Sequence, residues 1–339
     1  MVDTLLSPVV LFFALGLGAA LLRSPMSVPE AFAKGLAIYL MMAIGLKGGV
    51  AMSETAIGGD VVAGVLIGVG LSFALPVLAF ALLRASSRLS RIDAAATAGH
   101  YGSISIVTFV AATDALRLAG VEAGGYVVAV AALMETPAIV TALWLALRKT
   151  GERKTGGRKT GGESGGPSAD ESVAGARGEL VREILLNASV VVLIGALAIG
   201  WIAGPEGYAR LSDFFTAPFQ GILCLFMLDM GLNAGRGLRR GWRALGLAPV
   251  LFGLYMPLVS AAIALGLAAM AGLPAGDAAL LMVLAASASY IAVPAAMRLA
   301  LPRAEPSIYL TLSLGVTFPF NIAVGIALYI WAAQAVLGA

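Results

Sequence analysis

Small polar residues lie in the middle of two apolar segments of this chain, where they could bind a small ion. Glycine lets the backbone leave helical geometry, and Pro294 removes a backbone donor from the second segment. A helix broken at such a place exposes N–H groups and a partial positive charge, which bind small anions. The predicted substrate-binding residues are Gly102, Ser103, Ser105, Ser287, Ser289 and Tyr290. The freed carbonyls could instead hold a cation, together with the hydroxyls of Ser105, Thr108, Ser287 and Ser289.

The two polar clusters have the same estimated depth in a membrane. At about 1.5 Å per helical residue, Ser103 and Ser105 lie about 15 Å into the fourth apolar segment. Ser287 and Ser289 lie about 15 Å into the ninth, which runs in the opposite direction. Serine and glycine in membrane helices also serve close packing and interhelical hydrogen bonds. Two clusters at matched depth favour a binding site over packing alone.

Four ionisable residues also fall inside apolar segments: Lys47, His100, Glu135 and Asp229. Such groups are costly in lipid and indicate ion pathways, buried pairs or proton relays. Lys47 could pair with either carboxylate, and the pair would either take part in ion coupling or fix the register of two helices. His100 is the only histidine. It could carry a proton, but we expect it to pack against a neighbouring helix.

The sequence has no motif of an enzyme or of an ATP-driven pump. It contains no Walker A sequence, no HExxH motif and no cysteine spacing for a metal. Its one cysteine, Cys224, lies in an apolar segment. We therefore predict no enzymatic activity and no cofactor, with sodium as the only candidate ion. The net charge of +3 comes from cations scattered over several loops, which argues against a nucleic-acid partner.

The composition places the chain in a membrane, because hydrophobic residues make up 60% of it and charged residues only 12%. About ten apolar stretches of roughly 17–25 residues are each long enough to cross a bilayer. Nearly all of the 22 lysines and arginines fall on the cytoplasmic side if the N-terminus lies outside. This predicts a multi-pass protein of the inner (plasma) membrane with both termini outside the cytoplasm. The stretches lie near 5–22, 35–52, 61–83, 94–113, 124–147, 182–204, 214–235, 244–272, 278–300 and 307–336.

Short motifs recur between the two halves of the chain. The sequence IGLKGG at 44–49 is similar to MGLNAG at 230–235, and residues 98–105 are similar to 285–290. Five spans in each half would make the second half inverted, as in many secondary transporters with broken helices. We predict an all-α polytopic fold of about ten transmembrane helices, arranged as a 5+5 inverted repeat with two broken helices. The predicted units are a first repeat at 1–147, a flexible cytoplasmic linker at 148–181 and a second, inverted repeat at 182–339.

These motifs resemble those of the sodium-dependent bicarbonate transporter family, over nearly the whole chain outside the linker. The resemblance implies sodium-coupled anion import by a ten-helix fold with gate and core portions. It also implies a homotrimer and, as in some members, a small PII-like regulatory protein that docks on the cytoplasmic side. The motifs that carry the resemblance are at 44–49, 97–108, 134–142, 230–232 and 285–294.

Two departures from the family pattern concern the ion. The family carries Ser-Ser-Ser-Asp where this chain has Ser287, Ala288, Ser289 and Tyr290, so a carboxylate that would bind a cation is missing. Lys47 replaces a neutral residue, and its ammonium group could take the electrostatic role of sodium. The residues that match the family's broken helices are Gly102, Ser105, Thr108, Ser287, Ser289 and Pro294.

The sequence therefore predicts a secondary active transporter that imports a small anion, with bicarbonate and sodium coupling favoured. The alternative is a proton-coupled or sodium-independent transporter of another small carboxylate or oxyanion, in which Lys47, Glu135 and Asp229 couple the ion. A channel and a membrane sensor are the alternatives from other classes. The predicted partners are the anion, the lipid bilayer, two further copies of the chain and a PII-like cytoplasmic regulator.

Overall fold

A computed structural model describes residues 8–54, 58–147, 188–290 and 292–338, and these residues form helices but no strands. The predicted linker at 148–181 lies outside the described residues. The helices are α1 (Pro8–Leu21), α2 (Glu30–Glu54), α3 (Gly59–Ser86), α4 (Arg91–His100), α5 (Ile106–Leu118), α6 (Val127–Leu147), α7 (Ala188–Ala209), α8 (Ser212–Phe215), α9 (Phe219–Leu245), α10 (Leu247–Met270), α11 (Ala275–Ala286), α12 (Ala292–Ala300) and α13 (Pro306–Leu337).

Six of the described helices are long and apolar enough to cross a membrane. They are α2, α3, α6, α10, α13 and the span Ser212–Arg239, which comprises α8 and most of α9. Two more apolar helices, α1 and α11, are shorter. The chain is therefore a multi-pass, helical membrane protein, while the number of ten spans stays a prediction.

The fourth and ninth predicted segments are each divided into two helices. Helix α4 ends at His100 and α11 ends at Ala286, and in both cases the next helix begins after a short non-helical segment. The first break contains Gly102, where a Cβ atom would lie 2.1 Å from the Cγ of Pro76 on α3. Only glycine fits at this distance, so its place in the break follows from the close approach of α3.

Two helix pairs pack backbone against backbone through glycines. A Cβ at Gly16 of α1 or at Gly231 of α9 would lie 2.1 or 2.2 Å from a carbonyl oxygen of the other helix. A Cβ at Gly49 of α2 or at Gly200 of α7 would lie 2.0 or 2.2 Å from a carbonyl oxygen in the same way. Any side chain at these positions would push the helices apart, as expected for small residues at membrane helix interfaces.

The divided helices pack against four of the long helices. Helix α4 lies against α3 and α6, and α11 lies against α10 and α13. Helices α3, α6 and α10 each contain a proline, and α13 contains the π-helical segments Thr311–Thr317 and Asn321–Gly325. Proline and π-helical turns both leave carbonyl groups available to other donors, and π-helical turns are frequent at functional sites.

A carboxylate fixes the start of each divided helix. Asp277 of α11 is 3% exposed and accepts hydrogen bonds from the Gly124 N–H at 2.5 Å and the Tyr126 hydroxyl at 2.8 Å. Asp93 of α4 accepts a hydrogen bond of 2.8 Å from the Glu305 N–H. These bonds tie α11 to the loop before α6, and α4 to the loop before α13.

Candidate functional site

The non-helical segments of the two divided helices meet and are joined by their backbones. The Ser289 N–H donates to the His100 carbonyl oxygen at 2.8 Å. In the other direction, Nδ1 of His100 lies 2.5 Å from the Ser289 carbonyl oxygen. Both residues are buried. The ends of α4 and α11, and the starts of α5 and α12, therefore lie around one fixed crossing.

Three predicted site residues form a second connection across the crossing. The Ser105 N–H donates to Ser287 Oγ at 2.9 Å, and the Ser287 hydroxyl donates to the Leu284 carbonyl oxygen at 2.9 Å. Ser105 also caps α5, because its Oγ accepts from the Thr108 hydroxyl at 2.9 Å and from the Thr108 N–H at 3.3 Å. The structure thus brings Ser105, Thr108 and Ser287 together, as the predicted site requires.

Two polar residues of α13 support the crossing, and neither was among the predicted site residues. Asn321 donates from its amide to the carbonyl oxygen of Ala286 at 2.9 Å, which satisfies the last turn of α11. Thr317 donates to the Gly253 carbonyl oxygen at 2.7 Å. Its Oγ1 also lies 2.7 Å from the Tyr101 hydroxyl, which must therefore be the donor. The sequence signals that could have found this support are an asparagine within an apolar segment and Thr317 beside Pro319.

Several buried polar atoms at or near the crossing have no hydrogen-bond partner among the described residues. They include Oγ1 of Thr97, Nε2 of His100, Oγ of Ser103 and one carboxylate oxygen of Glu135. An unpaired polar group in a protein interior is costly, and it often indicates a bound ligand. The crossing is therefore a polar region with hydrogen-bonding capacity left over.

The other predicted residues lie in the two breaks or just after the second one. Gly102 and Ser103 are part of the first break, and Tyr290 is part of the second. The Tyr290 ring packs edge-on against Phe318 of α13, with ring centroids 5.2 Å apart. Pro294 is buried in α12, just after the second break.

The predicted ion pair of Lys47 does not form in this structure. Lys47 is exposed on α2, and the salt bridges between described residues include neither Glu135 nor Asp229. Asp229 is 3% exposed and accepts instead from the Asn233 amide, one turn along α9, at 3.1 Å. Glu135 is 6% exposed on α6. The two carboxylates are thus buried with no salt bridge to a described residue, although Asp229 lies within the electrostatic reach of Arg236, while Lys47 faces outward.

His100 packs as the sequence led us to expect. Its ring stacks on that of Tyr309 in α13, with centroids 4.6 Å apart and an angle of 25° between the planes. Within the described ranges, no three His, Cys, Asp or Glu side chains are grouped as metal ligands. The oxygen atoms at the crossing suit an alkali cation better than a transition metal.

The fold is that of a helical membrane protein with a polar crossing between two divided helices. A family model described as the Na+-dependent bicarbonate transporter superfamily matches residues 8–334, nearly the whole chain. The protein belongs to this superfamily, which confirms the resemblance seen in the motifs. It is a family of transporters and not of enzymes. No curated protein matches the chain at a significant level.

Proposed function

We propose that the protein is a secondary active transporter that imports a small anion, bicarbonate in the first place, together with sodium. The observation that carries this proposal is the fixed crossing of two broken helices with unpaired buried polar atoms beside it. At such a crossing the positive N-terminal ends and the negative C-terminal ends of helices lie together. It therefore offers N–H groups to an anion and carbonyl groups to a cation. Membership of the superfamily supports bicarbonate and sodium as the two solutes.

Each glycine-mediated helix pair joins one helix from the first half of the chain to one from the second half, and this arrangement supports an inverted repeat. The first helix of the first half, α1, packs on α9, which is the second long helix of the second half. Conversely α7, the first described helix of the second half, packs on α2, the second helix of the first half. Two halves related by a pseudo-two-fold axis would exchange helices in this reciprocal way. We infer that these four helices form the gate and the remaining helices form the core.

The anion would bind where α5 and α12 begin. Gly102, Ser103, Ser289 and Tyr290 border this position, and the Ser103 hydroxyl is buried and unpaired. One hydroxyl donor to an anion contributes about 1.5–3 kcal/mol to binding.

Sodium would bind to hydroxyl and carbonyl oxygens on the same crossing. A hydroxyl has one proton and two lone pairs. Thr108 uses only its proton, in the bond to Ser105, so both of its lone pairs stay available. Ser287 uses its proton and one lone pair, so one lone pair remains. Carbonyl groups of the non-helical segments would complete the coordination.

A second candidate is transport coupled to protons instead of sodium, and the buried carboxylates favour it. Glu135 has an unpaired carboxylate oxygen inside the protein, and neither Glu135 nor Asp229 has a cation in salt-bridge distance among the described residues. Buried, unpaired carboxyl groups in membrane spans are common proton carriers. Lys47 would then act from the exposed face of α2, without a direct pair.

Location and assembly are proposed on other grounds. The distribution of basic residues supports an inner-membrane protein with both termini outside the cytoplasm. A homotrimer and a PII-like regulator on the cytoplasmic face are proposed from the family resemblance.

The test is uptake of labelled bicarbonate into liposomes that contain the purified protein, with an inward sodium or potassium gradient at two external pH values. We expect uptake that depends on sodium and is lost in Ser103→Ala. The matched control is Ser260→Ala, which removes another buried hydroxyl, on α10, that has no partner among the described residues. Uptake that ignores sodium but follows pH would favour proton coupling. No bicarbonate uptake by folded protein under either gradient would refute the proposal.

A further inference from the structure

Three buried polar atoms beside the crossing have no hydrogen-bond partner among the described residues. They are Oγ1 of Thr97, Nε2 of His100 and Oγ of Ser103, and each of these residues is at most 1% exposed. Thr97 and His100 share one face of α4, because they lie three positions apart in the helix. Ser103 follows in the break, where its N–H still donates to the Gly99 carbonyl oxygen of α4 at 3.3 Å. The three side chains make up a polar stripe beside the crossing.

The structure also determines which nitrogen of His100 carries the proton. Nδ1 lies 2.5 Å from the carbonyl oxygen of Ser289, and a carbonyl oxygen can only accept. Nδ1 is therefore the donor, and in the neutral ring Nε2 has a lone pair and no proton. Stacking on Tyr309 holds the ring in place. Nε2 is thus a buried, oriented acceptor for which the described residues supply no donor.

The stripe offers both signs of hydrogen-bonding group. The hydroxyls of Thr97 and Ser103 can donate, whereas Nε2 of His100 can only accept. His100 is also the last residue of α4, where the negative end of the helix favours a bound hydrogen-bond donor. The starts of α5 and α12 favour negative oxygen atoms on the other side of the crossing.

A hydrogencarbonate ion has the complementary pattern, because two of its oxygens accept and its hydroxyl donates. We propose that His100 determines specificity for the anion, in that Nε2 accepts the hydroxyl proton of the substrate while Ser103 donates to one of its other oxygens. This inference rests on the transport function proposed above. The ligand class is a small oxyanion that carries one hydroxyl, as opposed to nitrate or formate.

Rejection of nitrate and formate follows from the same geometry. Both anions present only acceptor oxygens to Nε2, so two lone pairs would face each other in a buried site. Sites built to hydrogen-bond a substrate hydroxyl reject analogues that lack it much more strongly than an apolar pocket does.

The experiment is His100→Asn in the full-length protein, reconstituted in liposomes. The asparagine amide has the same number of bonds to the backbone as Nδ1 of histidine. It can therefore keep the hydrogen bond to Ser289 while it removes the acceptor at the Nε2 position. The measurements are the KM for bicarbonate and the inhibition constants of formate and nitrate, with Ser260→Ala as control.

We expect His100→Asn to raise the KM for bicarbonate by about 10- to 100-fold, the effect of leaving one buried donor of the ligand unpaired. Formate and nitrate should inhibit uptake only weakly in the wild type, and their inhibition should be no weaker in His100→Asn. An unchanged KM in a folded variant overturns the inference and leaves the transport function intact. If the variant does not fold, the wild type alone decides, because equal inhibition by formate and unlabelled bicarbonate contradicts a hydroxyl-reading site. No uptake by wild-type protein overturns both proposals.

Discussion

Replacement of Ser287 by alanine should show how much the hydrogen bond of a hydroxyl at the crossing contributes to stability, apart from the burial of that hydroxyl. Ser287 and Ser260 are both 1% exposed, so Ser→Ala at either position removes one buried hydroxyl of equal size. The two sites differ in their bonds. Ser287 Oγ receives the Ser105 N–H at 2.9 Å, whereas the Ser260 hydroxyl has no partner among the described residues.

The magnitude follows from the groups that each substitution leaves unpaired. In Ser287→Ala the buried Ser105 N–H loses its acceptor, at a cost of about 1–3 kcal/mol. The Leu284 carbonyl oxygen keeps a second donor, the N–H of residue 287, at 3.3 Å, so it adds little. In Ser260→Ala no hydrogen bond to a described residue is lost and an unpaired buried hydroxyl is removed, so we expect no loss of stability. The free energy of unfolding of Ser287→Ala should therefore be lower than that of Ser260→Ala by about 1–3 kcal/mol or more.

The assay is reversible unfolding in mixed micelles with increasing denaturing detergent, followed by intrinsic tryptophan fluorescence. Wild type, Ser287→Ala and Ser260→Ala are compared at the same lipid composition, and the free energy of unfolding is taken from the midpoint and slope. Equal stability of the two variants would refute the connection between Ser105 and Ser287. A larger loss for Ser260→Ala would show that burial, and not the hydrogen bond, decides the effect.

Four further predictions concern other parts of the molecule. Gly231→Ala should lower the free energy of unfolding by about 1–3 kcal/mol in the same assay, because the new Cβ would lie 2.2 Å from a backbone oxygen of α1. The control Gly18→Ala should not lower it, because a Cβ at Gly18 would have no atom within 4 Å. Asp277→Asn should cost about 1–3 kcal/mol through its two hydrogen bonds, and an unchanged midpoint would contradict this. Lys47→Met should change the free energy of unfolding by no more than about 0.5 kcal/mol, since Lys47 has no ion pair with a described residue. If uptake and its pH profile are also unchanged in this variant, Lys47 takes no part in ion coupling. Glu135→Gln should keep sodium-stimulated uptake, whereas loss of uptake together with its pH dependence would favour proton coupling.

The breaks in the two divided helices could be predicted from the sequence because the residues that indicate them lie within the divided segments. Gly102 and the serines at 287 and 289 interrupt apolar segments, and α4 and α11 end at His100 and Ala286, close to these residues. Composition and segment length were likewise sufficient for a helical membrane protein. In both cases the signal lies within the segment that it describes.

The contacts of the site could not be predicted, because they join residues far apart in the chain. Asn321 binds the carbonyl of Ala286, and Tyr101 binds Thr317, through side-chain directions that spacing does not reveal. The supposed pair of Lys47 failed for the same reason. Depth along a helix can be estimated from residue number, but the face on which Lys47 lies depends on how α2 packs.

The hydrogen bonds at the crossing constrain how sodium could act. Both lone pairs of Ser105 Oγ receive hydrogen bonds from Thr108, one from its N–H and one from its hydroxyl. A cation bound to Ser105 must therefore displace the Thr108 hydroxyl proton, while the N–H bond that caps α5 can remain. Turning that proton away frees a lone pair of Ser105 beside those of Thr108, so the two oxygens become available together. Sodium binding at this place would then reorganise the start of α5, the same helix end that we propose for the anion. Coupling between the two solutes would follow from this shared helix end, without direct contact between them.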